Sequence, residues 1–484
     1  MNRPDNPLQR RGPKRPPLLA TALLGVALSA SLVSGACGAN TKEAKNESGG
    51  TSKAAGSTTT DTAGENGSRK IPQPVIPADI PVAPESKRVD TTLPNFSDPT
   101  DVTNPLFPVS RQDSVLMVGH VDGKPFRTEV TLLPYTRVVE WRGRRIETLV
   151  SQYTAYLDGR IQEVAYDLYA QADDGSVWYF GEDVADIENG AIATKEGTWI
   201  VGKDGPPAMI MPSDPKVGDA YRTENIPGIA FEQVTVKRVG KTLDGPLGPV
   251  KGGLIGEELH MDGKTEGKTF APGYGEFYTS DGGDVEALAE AVPTDATSSP
   301  QPDGLKTLSD GALGVFDDAR AKDWNAAAST VEMMNAAWKS YPNGEAPRRI
   351  EPRMADALAQ LTNAVDKRDS VGARQAAIDT AQWGLDLRLR YRPQTEIDLA
   401  RFDLWAAQLQ VDAAAGDTAA VNGDIFTLGY IRDRILPALN SSDVTRMNTE
   451  LGKLQGAQAT MSDEDLAAAA EAAGRLRDIV GSLQ

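Results

Sequence analysis

One cysteine, Cys37, occurs in 484 residues. No internal disulfide can form, so stability has to come from ordinary apolar cores. The two histidines, His120 and His260, both precede the alanine-rich C-terminal third. That part therefore lacks the Glu-x-x-His pair that a di-iron helical bundle requires. No Gly-x-Ser-x-Gly elbow occurs, and no Gly-rich phosphate loop precedes a helical stretch, which removes the commonest motif-borne routes to hydrolase and nucleotide chemistry. Bases are outnumbered, with 50 Lys and Arg against 68 Asp and Glu. Such a surface repels nucleic acid, so no nucleic-acid partner is expected, and no cofactor either.

One long uncharged apolar run is present, Leu18 to Val33, behind the basic start Arg3, Arg10, Arg11, Lys14 and Arg15. It is long for a signal-peptide core and short for a membrane span, so the residues after it decide between cleavage and spanning. Ser34, Gly35 and Ala36 are small and stand directly before Cys37. This resembles the bacterial lipobox, although Ser34 stands where leucine is commonest. The resemblance implies a diacylglycerol thioether on Cys37, cleavage before it, and acylation of the new amino terminus, for instance with palmitate. An uncleaved anchor helix is the competing reading. Arg10 and Arg11 also suggest twin-arginine export, but Gly12 and Pro13 follow where that signal wants other residues. Without the leader the net charge moves from −18 to about −22.

The expected organisation is a signal peptide over 1–36, a disordered and Pro-rich tether over 37–101, an antiparallel β-domain over 102–292, a linker over 293–303 and a helical domain over 304–484. The tether reading rests on the small polar stretch after Gly38, which cannot bury enough apolar area to offset ordering entropy. Pro72, Pro74, Pro77, Pro81 and Pro84 then stiffen the chain toward polyproline II.

Between 102 and 292 the pattern is of short alternating runs broken by turn pairs, among them Asp122-Gly123, Arg142-Gly143, Asp158-Gly159, Asp174-Gly175 and Asn189-Gly190. Runs such as Phe126–Leu132, Arg145–Tyr156, Ile161–Gln171 and Phe231–Val239 read as strands of a sequential meander, giving a curved antiparallel sheet or open barrel. Val285 to Ala291 reads as the first helical stretch.

Aromatics are densest over Tyr166 to Glu182. A two-residue turn at Asp174-Gly175 puts Gln171 opposite Trp178, Tyr169 opposite Phe180, and Asp167 opposite Glu182. Facing carboxylates need a cation, an arginine or a shared proton between them. Tyr169, Trp178 and Phe180 with Asp167 and Glu182 are therefore candidates for a sugar-binding shelf, or for paired-acid glycoside chemistry by Asp167 and Glu182. Core packing explains the same aromatics. Asp173, Asp174 and Ser176 lack the rest of a calcium loop, and turn chemistry explains them.

The stretch YAQADDGSVWYFGEDV, with Gly197-Thr198-Trp199, IMPSDPKVGDAY from Ile210, APGYG from Ala271 and NPLFPV from Asn104, resembles an uncharacterised family of bacterial exported proteins and lipoproteins. The resemblance spans most of 104–280. It implies a β-domain and transfers no catalytic residue; Ala172 departs from the acid usual in that family.

After the linker the hydrophobic period changes to three or four. Asp323, Asp369, Asp417 and Asp463 each fall in a turn between helical stretches, about 46–48 residues apart, which predicts four repeated helical hairpins and about eight helices. An Asp or Ser in each turn is placed to cap the second helix. Arg388, Arg390 and Arg392 before Pro393, then Asp398 and Arg401 beside a Phe402–Trp405–Leu409 stripe, read as an ion-pair lock between two helices. The competing reading makes Arg388, Arg392 and Arg401 a carboxylate or phosphate pocket. His260 shares a strand face with Glu258, a thin basis for a metal site, and none is assigned.

Together these features predict a lipid-anchored protein on the extracytoplasmic face of the cell membrane, acting by binding rather than catalysis. Its expected partners are the membrane, through the lipid, and an envelope protein, a glycan or a small molecule. A glycan hydrolase using Asp167 and Glu182, and a metal-binding uptake lipoprotein, are the alternatives.

Overall fold

The computed structural model describes residues 70–77, 80–341, 344–458 and 462–483. The leader, Cys37 and the tether up to residue 69 lie outside the described residues.

The first half is a single antiparallel sheet of fourteen strands that curls without closing. In chain order these are β1 (Ser114–Val121), β2 (Lys124–Trp141), β3 (Arg144–Leu157), β4 (Arg160–Gln171), β5 (Val177–Glu188), β6 (Ala191–Thr194) and β7 (Trp199–Ile200). There follow β8 (Ala208–Met211), β9 (Ala220–Ile226), β10 (Ala230–Asp244), β11 (Pro249–His260), β12 (Thr265–Ala271), β13 (Gly275–Asp281) and β14 (Asp284–Val292). The order across the sheet is β6-β5-β4-β3-β2-β1-β14-β13-β12-β11-β10-β9, with β7 and β8 also pairing β5. Neighbours in sequence are mostly neighbours in space, the meander expected from the turn pairs. Asp122-Gly123, Arg142-Gly143, Asp158-Gly159 and Asn189-Gly190 all have positive φ at both positions, the geometry that matches the twist of tight hairpins. The sheet is rolled by the seam where β1 pairs β14, and β8 lies alongside β9 on the far side.

Val285 to Ala291 is not helical. It lies within β14, between β1 and β13, where Ala287, Leu288 and Ala289 are buried. Its alanine and glutamate favour a helix only in isolation; two waiting strand edges outweigh a propensity worth tenths of a kcal/mol per residue.

The tether expectation is corrected from Lys70 onward. Lys70 bridges Thr92 and Arg88 bridges Ala220, while Ile71, Ile80 and Leu93 are buried. The proline-rich segment is thus laid on the sheet by its few large aliphatic residues. The 293–303 segment is likewise fixed: Asp295 accepts from the Ala291 amide and the Tyr274 hydroxyl, and the Thr297 amide donates to Arg390.

Eight helices follow: α1 (Asp303–Ala321), α2 (Trp324–Ser340), α3 (Glu351–Asp366), α4 (Ser370–Arg388), α5 (Gln394–Ala415), α6 (Thr418–Ile435), α7 (Ser441–Ala457) and α8 (Asp463–Gly481). Asp323, Asp369 and Asp417 cap α2, α4 and α6, and Ser462 caps α8 in a reciprocal box with Asp465, so one or two first-turn amides of each helix find an oxygen as the repeat predicts. The helices form a layer on the outer face of the sheet. Leu116, Val118, Ala289 and Val292 share one apolar core with α1–α4, and a second core holds Phe402, Leu409 and the apolar faces of α6–α8. Trp405 is half-buried and stacks on Tyr156 of β3, ring centroids 5.3 Å apart.

Candidate functional site

Alternation along the strands sorts side chains to two faces. Arg127 and Glu129 of β2, Gln152 and Thr154 of β3, and Tyr166 of β4 point outward to the helices. Val130, Tyr153 and Asp167 point inward, where the roll of the sheet encloses a cavity of about 110 Å³. That is less than the ~150 Å³ cavity known to hold benzene, so the site has room for one small group. Its upper wall is apolar and aromatic, from Phe107, Val115, Val130, Tyr169 and Phe270.

A strap over residues 102–112 crosses the open end. On one side the Thr103 and Asn104 amides donate to Gln171 Oε1 at 2.9 and 2.7 Å, and Asn104 Nδ2 donates to the Gly175 and Pro212 carbonyls. On the other side Gln112 Nε2 donates to the Tyr274 carbonyl at 2.6 Å. Phe107 and Val109 reach down from the strap into the cavity wall.

Buried carboxyl groups lie at and behind the rest of the wall in two sets. In the first, Lys268 Nζ of β12 lies 3.2 Å from Glu258, 3.2 Å from Glu266 and 3.1 Å from Glu276. His260 Nδ1 lies 3.0 Å from Glu232. Burial would lower both bases, but the surrounding carboxylates outweigh it: Lys268 is pushed up well above its usual value, and His260 to about 9. Glu266 rises to about 8 through burial, against the pull of Lys268.

The second set is Asp167 of β4, Glu182 of β5 and Glu224 of β9, and it has no cation. Asp167 stands opposite Glu182 in the ladder. Asp167 accepts from the Tyr179 hydroxyl at 2.6 Å and Glu224 from Trp199 Nε1 at 3.2 Å. Both Glu182 oxygens and Glu224 Oε2 are buried with no donor among the described residues. Burial raises all three, Asp167 to about 7, Glu182 to about 8 and Glu224 well above the carboxylate range. With no counter-charge beside them, burial opposes the ionisation of both Glu182 and Glu224.

The sequence therefore located the acid pair and misjudged its aromatics. The turn is wider than two residues: the Ala172 amide bonds the Ser176 carbonyl, so Gln171 faces Val177 and Tyr169 faces Tyr179. A bulge between Asp167 and Tyr169, opposite Gly181 at φ +126°, then restores the Asp167–Glu182 pairing. As a result Tyr169 and Tyr179 line the cavity with Asp167. Trp178 and Phe180 belong to the outer core, Trp178 donating to Ser176 Oγ and Phe180 meeting Phe96 edge-on. Asp167 reaches the cavity whereas Glu182 lies behind its wall. The two do not flank a common space, which two-carboxylate glycoside chemistry requires. Glu224, Glu232 and Lys268 were missed because their strands lie far in sequence from the Asp167–Glu182 hairpin; charged residues at inward-facing strand positions were the available signal.

Arg388, Arg392 and Arg401 lie away from this cavity and are held by partners within the protein. Arg388 bonds Ser309 Oγ at 2.8 Å, and Arg392 bonds Glu396 at 2.9 Å. Arg401 holds Asp386 at 2.8 Å and Asp398 at 3.1 Å, and approaches Glu129 of the sheet at 3.6 Å. The lock thus joins helices to the sheet as well as helix to helix. Ligand atoms of Glu232, Glu258 and His260 fall within 4.8 Å of one another, a grouping able to hold a divalent cation if His260 gives up its proton and Lys268 moves aside.

Comparison with protein-family models, with curated proteins and with solved structures finds no match. The rolled, helix-backed sheet and its acid-floored cavity are therefore the basis for a functional reading.

Proposed function

We propose that this protein is a membrane-anchored extracytoplasmic lipoprotein of the cell envelope, held by acyl chains on Cys37, and that it works as a non-catalytic binding protein. The lipobox-like Ser34-Gly35-Ala36-Cys37 supports the anchor. The observation that carries the binding reading is the cavity inside the rolled sheet, strapped at its open end and walled by aromatic and aliphatic side chains above buried carboxyl groups. Concave, mostly apolar sites with a few convergent polar groups are where small molecules bind. The partner is accordingly a small molecule in the cavity, in preference to a glycan or a protein.

The anchor is tested by metabolic labelling with an alkyne fatty acid. Incorporation that disappears in Cys37→Ser supports it, and an unmodified Cys37 in a soluble cytoplasmic pool refutes it. Binding is tested by thermal stabilisation across a small-molecule panel together with assays for consumption of each compound. Stabilisation without turnover supports the reading; reproducible turnover refutes it. The Glu232–Glu258–His260 grouping favours metal binding as a second reading, which stabilisation by a transition-metal ion, lost in His260→Gln, would support.

A further inference from the structure

The two sets of interior carboxyl groups differ in one respect: the β10–β13 set contains its own cations and the β4–β5–β9 set does not. Glu232, Glu258, Glu266 and Glu276 surround His260 and Lys268. Asp167, Glu182 and Glu224 form no ion pair with any Lys, Arg or His among the described residues, although all three are buried. Uncompensated buried carboxylates are costly, and proteins retain them where something neutralises them.

Of these, Asp167 and Glu224 reach the cavity wall. Glu224 Oε2 has no donor, and neither has the hydroxyl of Tyr153, which is 3 % exposed and lines the same space. Glu224 and Tyr153, each with an oxygen that finds no donor, thus line the cavity from separate strands, and Asp167 lines it too. Above lie Val115, Val130 and Phe270, which offer a water-free wall to an aliphatic chain. A primary ammonium group has three donors and a positive charge, and so satisfies such a set.

Resting on the binding reading above, we propose that the cavity takes a primary alkylammonium ion, its nitrogen between Asp167, Glu224 and Tyr153, and that its entry expels a proton from the Asp167–Glu182–Glu224 cluster to bulk water. The balance is one cation in for one proton out, so the buried charge is unchanged. Tyr169 and Tyr179 donate to Asp167 and stay protonated, being held far above their usual range. Glu163 of β4 and Glu286 of β14 are pushed well above the carboxylate range by burial. Glu232, Glu258, Glu266 and Glu276 face it from β10–β13 with His260 and Lys268 as their partners. Asp167 and Glu182, at about 7 and 8, release protons in the physiological range.

The test is calorimetric titration of the full-length protein with n-propylammonium, against n-propanol and propanoate, in phosphate and HEPES at pH 7.5. The expected result is binding of propylammonium at least tenfold tighter than either isostere, with close to one proton released as read from the buffer dependence of the heat. Affinity should also fall about tenfold from pH 7.5 to 6.0, because protons then compete with the amine. Glu224→Gln should weaken propylammonium tenfold or more and reduce proton release, while its melting temperature at pH 6 reports folding; Asp167→Asn carries the same test if Glu224→Gln does not fold. Equal binding of propanol overturns the cation assignment while leaving a binding cavity. No binding of propylammonium, or binding unaffected by either variant, also overturns it. Loss of acylation at Cys37 or turnover of a panel compound would instead refute the broader reading.

Discussion

Arg434 of α6 reaches Glu129 of β2 with Nη1 2.7 Å from Oε2, and both side chains are almost fully buried. The same guanidinium donates from Nε to Gln152 at 2.6 Å and from Nη2 to Thr154 at 3.0 Å. Glu129 in turn accepts from Arg127, which also holds Asp386 of α4 at 2.6 Å. Burial alone would raise the Glu129 carboxyl, but Arg401, Arg127 and Arg434 outweigh it and hold it well below the carboxylate range. Sheet and helices are therefore joined by a charge network that has no water to fall back on.

Removing one member of that network leaves its partner charged and dry. Arg434→Met is expected to cost about 3–5 kcal/mol in urea unfolding. Replacing Glu129 and Arg434 together by Leu and Met should cost much less than the single change. A single-variant cost under about 1 kcal/mol would show that the pair does not join the layers.

The interior acids set a pH dependence of opposite sense to ordinary acid unfolding. Asp167, Glu182 and Glu266 titrate near 7 to 8 when folded and near 4 when unfolded. His260 titrates at about 9 when folded and near 6.5 when unfolded. Between pH 6 and 9 the folded chain holds protons that the unfolded chain has released, so stability falls as pH rises, by about 1.4 kcal/mol per unit for each such proton. Unfolding free energies at pH 6, 7, 8 and 9 should decline, and Glu182→Gln should flatten the decline. A level or rising profile would contradict this.

Gly181 sets the register that brings Asp167 to Glu182. A Cβ there would lie 2.4 Å from the Trp199 carbonyl, on a backbone at φ +126°. Gly181→Ala is expected to destabilise by about 2–3 kcal/mol. The change should also alter Trp199 fluorescence, because β7 has to move; an unperturbed melt and spectrum would count against the bulge.

If the strap controls entry to the cavity, weakening its ties should speed exchange more than it alters affinity. Asn104→Ala removes donors to the Gly175 and Pro212 carbonyls. It is expected to raise both the on- and off-rates of a bound compound by about tenfold in stopped-flow experiments, with Kd changed less than threefold. Unchanged rates would remove the strap from the path.

The fold class was legible because both halves signal locally. Type I′ pairs such as Arg142-Gly143 and capping acids such as Asp369 fix their elements from neighbouring residues alone. Val285–Ala291 was misread because its strand character comes from β1 and β13, which lie elsewhere in the sequence. Half of the site was legible for the same reason: Asp167 and Glu182 share one hairpin, whereas Glu224 joins them only through the roll of the sheet. The aromatic register failed on a five-residue turn and a compensating bulge, neither of which alters the period-two pattern from which register is read.

Because β1 finds its second neighbour only in β14, the rolled sheet has an open edge from Ser114 until Val292 has emerged from the ribosome. Nearly the whole β-domain must be synthesised before its first strand can be sheltered. Pairings between such distant segments form slowly and leave strand edges available to other chains. A protein of this design would depend on chaperones during its synthesis more than its final stability suggests.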